Sequence, residues 1–302
     1  LMDECGDLTG ARREIGRAFA LERSQGGAQP NGRLLLELLQ IRRKSGVPVE
    51  ELLGLLDRFP ETVDSREDLA LQRLVLCNEA GRPEKTVEYL RSRIYHPYEG
   101  GEGIVVHAHI LAWLQLARKA LAEGNPQQAV SCCEKALEYP ENYEEGRGVN
   151  AREAAVYYYM AKAQETMGHA QDARAWLEKA ANHRTGNLDE SDFYTGCAMR
   201  RLGREQEAAA LYRSMLEQAD RILREEDSLP YFGGFVSNLP GEHSVRIANH
   251  RRAHPAKFYA LTGLGRPEEA HHEKEQAAAW GAELRWLSLI ETEQEELIHE
   301  SF

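Results

Sequence analysis

A short glycine turn recurs along this chain at a fixed place in the helical pattern. Gly81-Arg82-Pro83, Gly124-Asn125-Pro126, Gly168-His169-Ala170, Gly203-Arg204-Glu205 and Gly265-Arg266-Pro267 each close one apolar stretch of helical period and open another. Five positions after each glycine stands a small residue: Thr86, Ala129, Ala173, Ala208 and Ala270. Glycine ends a helix because it enters the left-handed region without a Cβ clash. Proline suits the first turn of the next helix, and a small side chain lets two helices approach closely. Repeated in register, the unit predicts a stack of helical hairpins, each burying its apolar face against its neighbours.

The steps between glycines set the layout. They are 35 residues (Gly46 to Gly81), 43 (Gly81 to Gly124), 44 (Gly124 to Gly168), 35 (Gly168 to Gly203) and 62 (Gly203 to Gly265). The longer steps need insertions, and His96–Gly103, Tyr139–Asn150 and Leu229–Glu242 are rich in breakers. Strand alternation is nearly absent. The expected fold is all-α, a right-handed superhelix of about six antiparallel hairpins. A capping helix (8–24) and linker fill residues 1–30. Repeats span 31–282, with loops near 94–104, 139–150 and 225–246, and a C-terminal capping helix with a polar outer face covers 283–302. Within the repeats, the Leu34–Leu39 helix pairs with Val49–Leu56 after Pro48, and Pro255 either starts a short helix or kinks a longer one.

Composition narrows the function. The 302 residues carry a net charge of -12, which disfavours nucleic acid and anionic membrane surfaces as partners. No apolar run approaches the roughly 18 residues of a membrane span. The five cysteines include no CxxC pair and read as reduced thiols, which predicts a cytoplasmic protein. The chain begins at Leu1, which suggests a piece of a longer protein.

Trp113, Leu116, Ala117, Gly124, Ala129, Cys133, Ala136 and Pro140 resemble the skeleton of a tetratricopeptide repeat, and Tyr157, Met160, Ala161, Gly168, Ala173, Leu177 and Ala180 repeat it. A more particular resemblance lies in Arg93-Ile94-Tyr95-His96-Pro97-Tyr98-Glu99-Gly100-Gly101-Glu102-Gly103, followed by the Trp113 helix and Tyr139-Pro140-Glu141-Asn142. Pro230-Tyr231-Phe232 and Leu261-Thr262-Gly263-Leu264-Gly265-Arg266 fit the same pattern. Together they resemble the C-terminal helical region of large bacterial proteins whose N-terminal part is a mutarotase-like β-sandwich. That resemblance implies a helical accessory to a carbohydrate-related domain absent from this chain, with that β-sandwich as one possible partner.

Candidate chemistry is sparse. His96, Glu99 and Glu102 lie in a glycine-rich loop. Two carboxylates at a defined separation serve glycosidic cleavage, but the same residues can order a loop or cap the next helix. Gly100–Gly103 lacks the lysine and Ser/Thr of a phosphate loop. His250 and His254 could share a helix face but find no third ligand, so they read as surface or capping histidines, and no metal or cofactor is expected. Cys132-Cys133 reads as core.

The remaining candidates form a groove. Tyr157, Tyr158 and Tyr159 are consecutive, so at most one or two share a helix face. Tyr157 reads as core. Tyr158 falls where tetratricopeptide repeats line their inner groove, together with Leu114 and Phe193, while Arg118, Lys162 and Arg200 supply basic sides. The Lys/Asn pattern of chaperone-binding carboxylate clamps is not matched. The expected function is a non-catalytic interaction scaffold, with His96, Tyr98, Glu99, Glu102 and the groove residues as binding surfaces. The alternatives are the helical half of a sugar-active enzyme and a peptide-binding regulatory module.

Overall fold

A computed structural model describes residues 7–24, 26, 29–97, 101–148, 151–186, 188–224, 241–282, 285–287 and 289–293. These residues are helix and turn, with no strand among them. The helices are α1 (Leu8–Ser24), α2 (Gly32–Lys44), α3 (Val49–Asp57), α4 (Pro60–Asp64), α5 (Glu67–Glu79), α6 (Pro83–Arg91), α7 (Ile104–Ala122), α8 (Pro126–Ala136), α9 (Ala154–Thr166), α10 (Ala170–Ala181), α11 (Glu190–Arg201), α12 (Glu205–Arg224), α13 (Gly241–Gly263) and α14 (Pro267–Ala279). A 3₁₀ turn, Glu141–Tyr143, lies between α8 and α9.

The glycine turns are one backbone motif used repeatedly. At Gly46, Gly81, Gly124, Gly168, Gly203, Gly265 and Gly281, φ lies between 65° and 81°. In each, the glycine N–H donates three residues back and the following N–H donates five back, as in Gly81 to Asn78 O (3.0 Å) and Arg82 to Cys77 O (2.8 Å). This is the Schellman cap, which satisfies carbonyls that a helix end otherwise leaves unpaired. At Gly81, Gly124, Gly168 and Gly265 the residue after the glycine takes the N-cap position of the next helix, and Asn125 caps with its side chain by accepting from the Gln128 N–H. Thr86, Ala129, Ala173, Ala208 and Ala270 are at most 1% exposed, so the small-residue rule marks the helix contact. At Gly168 an added Cβ would meet nothing within 4 Å. Gly168→Ala is therefore expected to cost only the left-handed backbone penalty, about 1 kcal/mol in urea unfolding.

The chain divides into two compact units. The first comprises Leu1–Trp113 with Tyr139–Gly146, and the second Leu114–Glu138 with Arg147–Phe302, so α7 contributes residues to both. In the first unit α1 packs on α2, α2 on α3 and α5, and α5 on α3, α4 and α6. Its core is leucine-rich: Leu35, Leu38, Leu39, Leu52, Leu53, Leu55, Leu56 and Leu69 are buried.

In the second unit α9 packs on α8, α10 and α11, and α11 on α9, α10, α12 and α13. Further packing joins α12 to α13 and α13 to α14. First helices of successive hairpins thus touch one another, the arrangement expected of tetratricopeptide-like repeats. Pro255 sits inside α13, so the longer of the two predicted helices forms. That helix starts at Gly241 and takes the end of the stretch expected as loop; Pro230-Tyr231-Phe232 lies outside the described residues. Tyr212 of α12 lies buried between Gly196 of α11 and Gly263 of α13.

Candidate helix-binding groove

The predicted groove residues belong to the second unit, and most of that face is closed. Tyr157, Tyr158 and Tyr159 are all buried. Successive residues point about 100° apart, so α9 must be covered on every side. One side is covered by the chain's own C-terminal segment. Trp286, Leu289, Ile290 and Glu293 are buried, and residues 289–293 are helical. The Ile290 N–H donates to Trp286 O at 3.1 Å. Positions 286, 289, 290 and 293 fall on one stripe of a helix, the spacing by which an amphipathic helix anchors in a groove. The described part of this segment turns an apolar stripe ending in one acid, Glu293, inward and leaves Arg285, Glu291 and Thr292 partly exposed on its outer side.

Glu293 is held closely. Tyr158 Oη donates to Glu293 Oε2 at 3.1 Å, and Lys162 Nζ donates to Oε1 and Oε2 at 3.1 and 3.2 Å. The rings of Tyr159 and Tyr194 stand 6.0 and 5.6 Å from that of Tyr158. Burial, and then the Glu293 carboxylate, push the phenols of Tyr158, Tyr159 and Tyr194 well above the usual tyrosine range. They stay protonated and can donate to a carboxylate. The Lys162 ammonium also lies over the Tyr158 and Tyr159 rings, at 5.7 and 5.4 Å. Upstream, Trp286 meets Tyr194 edge-on at 6.3 Å. Arg118 Nη1 donates to Thr292 Oγ1 at 3.1 Å, and Lys274 Nζ to Glu291 Oε1 at 2.6 Å.

Three sequence readings are corrected. Phe193 and Arg200 do not line this face. They are seven apart on α11 and face α12: Phe193 lies 6.4 Å from the Tyr212 ring, while Arg200 reaches Glu205 at 3.4 Å and lies over the same ring at 5.7 Å. One residue on, Tyr194 and Arg201 take the groove positions, with Arg201 5.9 Å over the Tyr158 ring and paired to Glu165. An error of one position is a rotation of about 100°. Leu114 is fully buried in α7 rather than forming an exposed floor. Tyr158, Lys162 and Arg118 do contact the bound segment. Glu293, which sequence reasoning passed over, follows Trp286 by seven positions, and that spacing was the available signal.

In the first unit the structure joins the two quoted loop motifs. Asn142 Nδ2 donates to Leu90 O and Arg93 O, both at 2.8 Å, and its carbonyl accepts from the Tyr95 N–H at 2.8 Å. Exposed His96 pairs with Glu144 at 2.9 Å, and the Gly103 N–H donates to Glu145 at 2.8 Å. Glu102 is exposed, and Tyr98 and Glu99 lie outside the described residues. Back in the second unit, His254 departs from the surface reading. It is buried, pairs with Glu273 at 2.6 Å and meets His250 at 3.0 Å. The buried thiols are inert: desolvation pushes Cys77 up to about 11 and Cys197 to about 12.

The described residues form an all-α fold of tetratricopeptide-like helical hairpins. A scan of the chain against known protein families matches none. Among solved structures it is similar to a putative kinesin light chain from Podosopora anserina with nearly identical TPR-like repeats. The two share 20% identity over 83% of this chain and 96% of that one, with a TM-score of 0.25.

Proposed function

We propose that the second unit is a non-catalytic protein-interaction module that binds amphipathic helices along the face presented by α9 and α11, with Arg118 of α7 at its edge. The grip on Glu293 carries this reading: a lysine and a phenol converge on one carboxylate beside an apolar bed of aromatic rings. Such an arrangement recognises and orients an acid-bearing helix. The test uses a full chain weakened in its own segment by Trp286→Ala, Ile290→Ala and Glu293→Ala, titrated with a labelled peptide of residues 284–296. Adding Lys162→Met or Tyr158→Phe should weaken binding about tenfold, because each removes a charge-assisted hydrogen bond. Unchanged affinity in both variants would sink the assignment of the cage.

A further inference from the structure

We infer that the C-terminal segment carrying Trp286, Leu289, Ile290 and Glu293 is an internal stand-in for a partner helix, and that a partner binds by displacing it; this rests on the helix-binding reading of the groove. The occupant's chemistry is explicit. It presents an aromatic residue, two branched apolar residues and a carboxylate at successive positions i, i+3, i+4 and i+7, filled here by Trp286, Leu289, Ile290 and Glu293. Every anchor except the last is apolar, and the last meets the protonated phenol of Tyr158 and the ammonium of Lys162. The partner is therefore an amphipathic helix repeating that pattern. A helix with glutamine or lysine at the final anchor would leave the partly buried ammonium of Lys162 unmatched and bind less well.

The contacts also favour exchange over permanent docking. The segment's outer polar contacts, Arg118 to Thr292 and Lys274 to Glu291, use half-exposed side chains. These contribute little to holding it in place. The apolar anchors and Glu293 therefore provide most of the grip, and a free helix with the same anchors can replace them one for one. A tethered segment competes at an effective concentration in the millimolar range. It should thus suppress binding of an external helix of about 10 μM affinity by about a hundredfold.

The experiment compares two full chains: wild type, and the chain carrying Trp286→Ala, Ile290→Ala and Glu293→Ala. Both are titrated with the 284–296 peptide and with the same peptide bearing the equivalent of Glu293→Gln. About a hundredfold tighter binding by the substituted chain, lost with the glutamine peptide, is the expected result. Equal affinity for both chains overturns the stand-in while leaving the groove reading intact. No peptide binding by a folded substituted chain overturns the groove reading itself. Should that chain not fold, hydrogen exchange on wild type decides. Saturating peptide should speed exchange of residues 289–293 while α9 stays protected, and no change would refute displacement. A dimer that grows with protein concentration, seen by light scattering, would replace the external partner with a second copy and likewise overturn it.

Discussion

Gly196→Ala is expected to cost the second unit about 3 kcal/mol or more, a large share of the stability of an ordinary domain. A Cβ built at Gly196 falls far inside van der Waals contact with Cζ and Oη of Tyr212. The ring cannot retreat, because a Cβ at Gly263 would meet it just as closely from α13. Tyr212 is fully buried, and its hydroxyl donates to Phe193 O at 2.9 Å and lies 3.6 Å from Cys197 Sγ. Displacing the ring would break that hydrogen bond, worth about 1 kcal/mol, as well as overpack the core. The two glycines therefore act as the space in which three helices share one tyrosine. Urea unfolding followed by circular dichroism measures the loss, with Gly168→Ala as the control for a mutation at a glycine that meets nothing. Combining Gly196→Ala with Tyr212→Leu should recover part of it. A loss below about 1 kcal/mol would show that the helices separate easily and that the tyrosine is not a wedge.

The hairpins were legible because each needs a local device with few chemical solutions. Only glycine takes φ near +70° cheaply, so the five helix ends at Gly81, Gly124, Gly168, Gly203 and Gly265 can be read from their glycines. Small residues five positions later follow from the helix contact they permit. The face of α9 was legible too, since Tyr158 and Lys162 are four apart and share a stripe. On α11 the reading slipped from Tyr194 to Phe193. Both are aromatic, and helix phase had to be extrapolated across the connection between α10 and α11. The occupant of the groove was hidden for a different reason. Residues 283–302 are rich in glutamate and look like a polar cap; only their docking separates Glu293, which is buried, from Glu291, which is not. Burial of a charge depends on what lies opposite, and that is a long-range fact which local pattern does not carry.

Arg152→Met should destabilise the second unit by about 3–5 kcal/mol at pH 8 and by much less at pH 5. Arg152 is set between two buried acids at the start of α11, Asp189 and Glu190, while the nearby buried Asp192 is opposed by Arg184. The Arg152 Nε lies 3.2 Å from Asp189 Oδ2, and its Nη1 donates to both oxygens of Glu190 at 3.3 and 3.2 Å. Asp189 caps α11 by accepting from the Ser191 N–H at 3.0 Å. Asp192 is pushed up to about 7, mainly by burial and then by the Asp189 charge. Desolvation likewise raises Glu190, with Arg152 opposing it. The dipole at the start of α11 favours these anions by about 0.3–1 kcal/mol, too little to reverse the burial cost. The sign follows. A carboxyl whose folded value is raised holds a proton that the unfolded chain has released. Stability from this cluster is therefore complete below about pH 4 and falls as pH rises through about 7. Without Arg152 the carboxylates are uncompensated wherever they ionise, which concentrates the loss at high pH. Asp192→Asn should do the opposite, raising stability at pH 8 and flattening the slope between pH 5 and 8. Thermal or urea unfolding across that range reads both effects. A loss in Arg152→Met that is the same at pH 5 and pH 8 would mean the arginine contributes packing rather than charge.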